Sequence, residues 1–257
     1  MVAEAAAPLM KGSSEPRPGW HEQDPEDWWQ AARVCLEATA AKARDAGYTR
    51  ADLGRIAVTS TSGTIVLVDG EGNPLRPAIM YNDGRAAAQA DRVNDIGRLL
   101  IDKLGYRFSA SFGLPKILWL AEHEPEALEA GRICHPADFL LGRLTGRYDT
   151  SDTSNALKDG YDLLEGRWPA FVRRELGLPL SKLPSVLRPG EPVGMVRTSV
   201  VGRARLSPTA LACAGATDGT AGFLASGAVR VGQWSSTLGT TLVLRGVSDR
   251  LIRDPRG

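Results

Sequence analysis

The stretch GATDGTAGFLASG (residues 215–227) joins a run of small residues to a polar turn and then to an apolar segment. The overlapping TALACAGAT, residues 209–217, predicts a buried strand of small side chains, and residues 219–226 predict a helix. In an open α/β sheet, ligands bind beyond the carboxyl ends of the strands. The turn around Asp218 is therefore a candidate ligand site.

Two interpretations of Asp218 follow from this stretch. The free amides at the start of a helix favour negative charge, so they would keep Asp218 ionised and able to accept a proton from a substrate. Alternatively, Asp218 only caps the helix, as a short acidic side chain before an apolar run commonly does. The stretch alone favours the capping interpretation, and the rest of the chain has to decide between the two.

Strands and helices alternate along the whole chain, which predicts the α/β class. Composition changes near residue 205, where long polar loops give way to small residues. We therefore expect a first domain over 1–205 and a second over 206–257. The predicted helices cover residues 25–47, 84–105, 113–125, 137–146 and 219–226, and the predicted strands cover 56–58, 64–68, 77–83, 209–217 and two segments within 232–246. Residues 147–200 are predicted to be rich in loops, with 183–194 as a connector and 2–9 as a strand.

Bulk composition excludes several classes of partner. Acids and bases nearly cancel in the 257 residues, at a net charge of +1, so charge gives no reason to expect binding to nucleic acid or to a membrane surface. Three cysteines far apart predict neither a disulfide framework nor a zinc site. No apolar run approaches a membrane span, and the N-terminus lacks the basic start of a secretory signal. We expect a soluble, cytoplasmic protein that uses no metal site of its own side chains.

Two further polar stretches offer contacts for a polyhydroxylated ligand. TSTSGT (59–64) contains Ser62, and YNDGR (81–85) contains Asp83 and Arg85, so together they supply mixed donors and acceptors. The alternative is that both are ordinary turns, with Asp83 capping the next helix. Similarly, Asn155 and Lys158 could line a cleft, although a plain polar loop is the simpler interpretation.

A Ser/Thr-rich turn, STLGTT (236–241), can direct backbone amides and hydroxyls at a phosphate. Most such turns are plain hairpins, so that alternative stays open. The chain has no GxxxxGK[ST] motif, which excludes a P-loop. The three histidines do not cluster, and neither HExxH nor a plausible catalytic triad is present.

Taken together, four of these stretches resemble the FGGY carbohydrate kinases, in particular their xylulokinase and D-ribulokinase-like branch. Their order and spacing make the resemblance specific, and it covers most of the chain, from about residue 18 to 241. The four stretches are PGWHEQDPEDWW (18–29), VDGEGNPLRPAIMYNDGRA (68–86), LTGRYDTSDTSNAL (144–157) and GATDGTAGFLASGAVRVGQWSSTLGTT (215–241).

The resemblance implies a two-domain, actin-like ATPase fold of the ribonuclease H-like type, with a sugar between the domains and ATP against the second. It implies phosphorylation of a ketopentose such as D-ribulose or D-xylulose by ATP with Mg²⁺. Asp218 would be the general base, which mainly orients the attacking hydroxyl. The oligomeric state stays open, with a homodimer as one expectation. The implied sugar contacts are Ser62, Asp83, Arg85 and Thr217, of which Asp83 and Arg85 could instead be structural, and the implied phosphate contacts are Gly239, Thr240 and Thr241.

The chain also departs from the family pattern. The first two strands of the family pattern and the D-x-G-T turn between them are absent, and the chain ends at Gly257, soon after the second phosphate motif. We therefore expect a fragment with an unpaired sheet edge, exposed apolar surface and little kinase activity or ATP affinity by itself. Two alternatives are a non-catalytic remnant that binds a sugar or a partner, and another actin-like ATPase, against which YNDGR and the order of the motifs argue.

Overall fold

A computed structural model describes residues 1–239 and 242–252. It shows an α/β protein in which helices surround short strands. The helices are α1 (Pro25–Asp45), α2 (Ala87–Ile96), α3 (Arg98–Leu104), α4 (Gly113–His123), α5 (Pro125–Ala130), α6 (Pro136–Thr145), α7 (Thr153–Ala156), α8 (Ala170–Arg174), α9 (Thr198–Ala204) and α10 (Asp218–Ala225). The strands are β1 (Ser13–Ser14), β2 (Glu22–Gln23), β3 (Arg55–Ser60), β4 (Val66–Val68), β5 (Ala78–Ile79), β6 (Arg132–Cys134), β7 (Thr150–Asp152), β8 (Ser185–Leu187), β9 (Pro192–Met195), β10 (Leu211–Thr217), β11 (Trp234–Leu238) and β12 (Leu242–Gly246).

The central sheet has the order β3-β10-β9. β10 runs parallel to β3 and antiparallel to β9, and the β3 register ends with Thr217 opposite Ser60. Gly215 allows the close approach, because a Cβ there would lie 1.8 Å from the carbonyl oxygen of Val58. Within the described residues, β3 pairs on one side only, which is the open edge that the sequence predicts.

Helices cover the sheet and form the core. Asp24 caps α1 by accepting from the amide of Glu26, with Pro25 in the first turn, as expected. One apolar cluster joins α6 and α9 to β9 and β10, and a second, larger one joins α2, α3 and α4 to the strand residues Ile65 and Leu67. The core therefore holds β3 and β10 rigidly, and their carboxyl ends meet at one place.

The helix predicted over 84–105 is wrong in one respect, because it is two helices that meet at Gly97. The carbonyl of Val93 accepts from the amide of Gly97 at 2.7 Å, and α3 begins at the next residue. A Cβ at Gly97 would lie 3.2 Å from the ring of Phe171. A contact distant in sequence thus occupies the break, and periodicity alone could not predict it.

Two other predictions are also wrong. Residues 183–194 are more than a connector, because they contain β8 and the start of β9, which pairs with β10. Residues 2–9, all of them described, form no strand; instead the carbonyl of Glu4 accepts from the Lys42 side chain of α1. In both cases the pairing partner, rather than the local pattern, determines whether a strand forms.

The last strands, β11 and β12, form an antiparallel hairpin, as predicted. Its apolar side chains are exposed, with Trp234 at 63% and Leu238 at 83%. The domain boundary at 205 stays a prediction; β10, which follows it, shares a sheet with β3. Within the described residues, no helix is both long and apolar enough to cross a membrane.

Candidate functional site

The candidate site lies where the parallel strands β3 and β10 end. Thr217 is opposite Ser60, so the turn after β3 (61–64) is next to the start of α10. Each of these turns contains one of the stretches singled out from the sequence. The parallel pairing therefore brings TSTSGT and GATDGT together, although about 150 residues separate them.

Asp218 is the first residue of α10 and does not cap it. The cap position belongs to Thr217, whose hydroxyl lies 3.0 Å from that of Thr220. The Asp218 carboxylate is exposed and accepts from the amide of Gly219 at 2.7 Å. The capping interpretation is therefore wrong, and within the described residues one carboxylate oxygen has no partner and can accept a proton.

The turn after β3 is held in one shape. Gly63 has φ +78°, and a Cβ there would lie 2.2 Å from the carbonyl oxygen of Ser111. Thr64 is buried, and its hydroxyl accepts from the amide of Tyr81 at 3.0 Å. Ser62 is half-buried, and its hydroxyl has no partner among the described residues. A fixed turn thus carries a hydroxyl without a partner among the described residues, and the role of Ser62 as a sugar ligand stays a prediction.

Lys116 lies beneath this turn and was not found from the sequence. Its ammonium is fully buried and donates to the carbonyls of Gly63 at 2.7 Å, Ser111 at 3.3 Å and Tyr81 at 3.4 Å. Burial lowers its pKa to about 7, although the negative charge of Asp83 opposes the shift. The available signal was a lysine inside the apolar run GLPKILWL of α4.

Lys158 faces the same space. Its Cδ lies 3.2 Å from where a Cβ of Gly63 would be, and its ammonium is 5.2 Å from the ring centre of Phe112. Burial lowers its pKa, and the negative charge of Asp218 opposes this shift. Lys158 lies in a short 3-10 helix (Leu157–Asp159) rather than in a loop, and its charge interacts with that of the candidate base.

Asp83 and Arg85 already use their hydrogen-bonding capacity within the protein. Asp83 is buried and accepts from the amide of His21 at 2.6 Å and from the Arg85 side chain at 2.8 and 2.9 Å. The Arg85 guanidinium is also buried, pairs with Glu22, and lies 3.9 Å from the ring centre of Trp20. These contacts are those of structural residues. The assignment of Asp83 and Arg85 as sugar ligands stays a prediction.

Behind the site lies a buried polar network. His135 lies between two carboxylates, 2.7 Å from Asp138 and 2.9 Å from Asp159. Burial lowers the pKa of His135, but the two carboxylates outweigh it and raise the pKa well above its usual value. Nearby, the amide of Thr217 donates to the Ser154 hydroxyl at 2.8 Å. Because Asp159 is next to Lys158 in the chain, this network fixes the backbone that carries Lys158.

Of the three predicted phosphate contacts, only Gly239 lies within the described residues. Gly239 is exposed at the end of β11, whereas Thr240 and Thr241 lie outside the described residues.

Mg²⁺ takes oxygen ligands, and Asp218 supplies one free carboxylate oxygen. In the part of the chain that the structure describes, no group of three or more acidic, histidine or cysteine side chains could hold a metal. The described residues thus supply only part of a site for a magnesium-bound nucleotide.

Comparisons with known proteins find one family along most of the chain. The FGGY family of carbohydrate kinases, N-terminal domain, matches residues 3–225. A xylulose kinase of Streptomyces rubiginosus is 34% identical over 262 aligned residues, which cover 100% of this chain and 51% of that protein. A xylulose kinase of Escherichia coli K12 is 30% identical, with 94% and 49% covered.

Solved structures show the same similarity. The xylulose kinase of Rhodospirillum rubrum matches with a TM-score of 0.85 and 28% identity, over 95% of this chain and 50% of that one. The glycerol kinase of Plasmodium falciparum with ADP, at 22% identity, shares the fold with a TM-score of 0.80 over 91% of this chain and 47% of that one. The fold is therefore that of the actin-like ATPases. The chain spans about half the length of the relatives it matches.

Proposed function

This chain belongs to the FGGY family of carbohydrate kinases, and from that premise we propose that it carries the sugar-binding half of a kinase that transfers a phosphoryl group from ATP to a sugar hydroxyl. The observation that supports this most is the exposed Asp218 carboxylate at the shared end of β3 and β10. Lys158 connects this carboxylate to the turn after β3, because its side chain approaches Gly63, the neighbour of Ser62, and its charge interacts with that of Asp218.

In the proposed reaction, Asp218 accepts the proton of the attacking sugar hydroxyl while that oxygen forms its bond to phosphorus. The bond from phosphorus to the leaving oxygen of ADP breaks, and the proton remains on Asp218 until it exchanges with water. The base mainly orients the hydroxyl, because the transition state of phosphoryl transfer is loose. Lys158 donates to a substrate oxygen.

The proposed substrate is a ketopentose, D-xylulose or D-ribulose, and the proposed cofactors are ATP and Mg²⁺. The similarity to xylulose kinases supports this choice. Bound Mg²⁺ would offset charge on the transferred group. Ser62 and Thr217 would contact the sugar, and Gly239, Thr240 and Thr241 would contact the phosphates. We expect the protein to act in the cytoplasm, and a homodimer stays a prediction.

The domain division is part of the proposal. The sequence predicts a sugar-binding domain over 1–205 and the start of an ATP-binding domain over 206–257. Since β10 pairs with β3, we amend this and propose that the first domain extends through α10. The hairpin β11–β12 then begins the second domain.

Sugar-dependent formation of ADP tests the proposal. The full-length protein, meaning the kinase of which we propose this chain to be one half, is incubated with Mg²⁺, ATP and, separately, D-xylulose, D-ribulose, glycerol or no sugar. We expect ADP formation with at least one ketopentose and almost none without sugar. Formation of ADP without sugar would instead favour another actin-like ATPase. Sugar binding without any ADP formation would favour a non-catalytic remnant.

A further inference from the structure

A cavity of about 210 Å³ opens between α1, α6 and α9, and none of the candidate-site residues lines it. Four arginines line it from three helical segments: Arg33 of α1, Arg143 of α6, and Arg197 and Arg203 at the two ends of α9. Glu37 is the one carboxylate in the lining. The cavity is therefore strongly positive, although the chain as a whole carries a net charge of only +1.

Most of these charges have no counter-ion. Arg143 pairs with Glu26. Across residues 1–239 and 242–252, Arg33, Arg197 and Arg203 have no carboxylate within 4.0 Å. The Nε atoms of Arg33 and Arg143 are buried and have no hydrogen-bond acceptor in the same described part. Buried donors and clustered like charges cost stability unless something compensates them.

Helix dipoles compensate only part of this charge. Arg143 and Arg203 lie in the last turns of α6 and α9, where the dipole favours a cation. Arg197 lies against the end of α6, since a Cβ at Gly146 would be 2.7 Å from its guanidinium. Arg33 lies in the interior of α1 and has no such compensation. Among the described residues, the charge of Arg33 is therefore offset neither by a carboxylate within 4.0 Å nor by a helix dipole, and a bound anion would offset it.

We propose that this cavity binds the phosphate group of a small phosphate monoester. Such a group carries nearly two negative charges at neutral pH, and its oxygens match the guanidinium fork. Trp29, Leu36 and Val200 add an apolar wall for a short carbon chain. The volume is below the range of about 300–1,000 Å³ usual for drug-sized ligands, which favours a sugar phosphate over a nucleoside triphosphate.

Calorimetric titration of the 257-residue chain tests the site. The probes are D-ribose 5-phosphate and inorganic phosphate, and the variants are Arg33→Gln and Arg203→Gln. Arg98→Gln is the matched control, because Arg98 is exposed on α3, outside the cavity. We expect D-ribose 5-phosphate to bind and each cavity variant to weaken binding about tenfold or more, as loss of a charge-assisted hydrogen bond does, with no effect of the control.

Comparing the two probes identifies the source of the phosphate. Tighter binding of D-ribose 5-phosphate supports a sugar phosphate, whereas equal binding means that the cavity takes free phosphate and the apolar wall is not used. No binding of either probe, or equal weakening by Arg98→Gln, would overturn the proposal. Binding of D-ribose 5-phosphate at the kinase site is recognised by its loss in Asp218→Ala and its persistence in the cavity variants, and this result would also overturn it.

Thermal unfolding separates a ligand site from a structural role. Without ligand, we expect Arg33→Gln to unfold at the same temperature as the unsubstituted chain or higher, because an uncompensated charge is removed. With D-ribose 5-phosphate, the unfolding temperature should rise for the unsubstituted chain and not for the variant. A clear fall in the unfolding temperature of ligand-free Arg33→Gln, with the ligand-induced rise preserved, would show that Arg33 is structural.

Discussion

The ammonium of Lys116 supports the turn after β3 (61–64). It joins three backbone carbonyls from three separate segments, those of Gly63, Tyr81 and Ser111. Without that donor, the carbonyl of Gly63, whose hydrogen bond is buried, loses its partner, which costs about 1–3 kcal/mol. The turn that carries Ser62 thus depends on a fully buried residue.

The pH dependence of stability should report Lys116. Its pKa is about 7 in the folded protein and about 10.5 when unfolded. Between these values the unfolded chain holds the proton and the folded one does not, so raising the pH favours folding. We expect the free energy of unfolding to rise from pH 7 to 9.5, and Lys116→Met to lack this increment.

Urea unfolding of both proteins at pH 7 and 9.5 provides the measurement. Subtracting the variant from the unsubstituted chain cancels the other titrating groups. Lys182→Met, at a partly exposed lysine, serves as the control and should keep the increment. Equal pH dependence of Lys116→Met and the unsubstituted chain would contradict the account.

The residues that the sequence predicts are those whose relevant neighbours are close to them in the chain. Asp218 and Ser62 were found because polar side chains at strand ends are visible in a linear pattern. Lys116 was missed because its three acceptors come from 63, 81 and 111, and only the fold brings them together. The sequence favours a polar loop at Lys158, because the interaction of its charge with Asp218 is likewise non-local.

At the scale of elements, the pairing of β3 with β10 creates the site, and Gly215 permits that pairing. We expect Gly215→Ala to destabilise the protein by at least about 3 kcal/mol or to prevent folding, since its Cβ would lie 1.8 Å from the backbone oxygen of Val58 and neither strand can move freely. The urea midpoint, or the yield of folded protein, measures this effect.

Gly202→Ala is the matched control. Gly202 lies inside α9 with no atom near a new Cβ, so alanine should leave stability unchanged or raise it by about 0.4–1 kcal/mol. A folded Gly215→Ala variant with the midpoint of the unsubstituted chain would contradict the assigned contact.

Elements with a strong local pattern were predicted well. Capping residues and periodicity located α1, and strand and turn patterns located β10 and the β11–β12 hairpin. The misses share a physical cause: Phe171 packs at the break after α2, and β9 is a strand because β10 is beside it. Packing and pairing partners distant in sequence overrode the local pattern.

At the scale of the whole molecule, the hairpin β11–β12 contrasts with the core. Its Leu238, Leu242 and Leu244 are 61–83% exposed, so they contribute little to the stability of the described chain. A contiguous apolar surface of this kind favours self-association.

Leu238→Glu should therefore leave the free energy of unfolding within about 0.5 kcal/mol of the original value and reduce self-association at high concentration. Analytical ultracentrifugation and urea unfolding measure the two effects. Leu118→Glu, in the core, is the contrasting control and should abolish folding. A loss of several kcal/mol in Leu238→Glu would mean that the hairpin packs against the rest of the chain.

The central claim is that Asp218 receives the proton of the sugar hydroxyl, and one measurement tests it most directly. Ketopentose-dependent ADP formation and sugar affinity are compared between the full-length protein and its Asp218→Asn variant, which keeps the size of the side chain. We predict that turnover falls about 10²–10⁴-fold, as expected for loss of a general base, while the dissociation constant for the sugar changes less than about tenfold. Turnover by Asp218→Asn within tenfold of the original would contradict it.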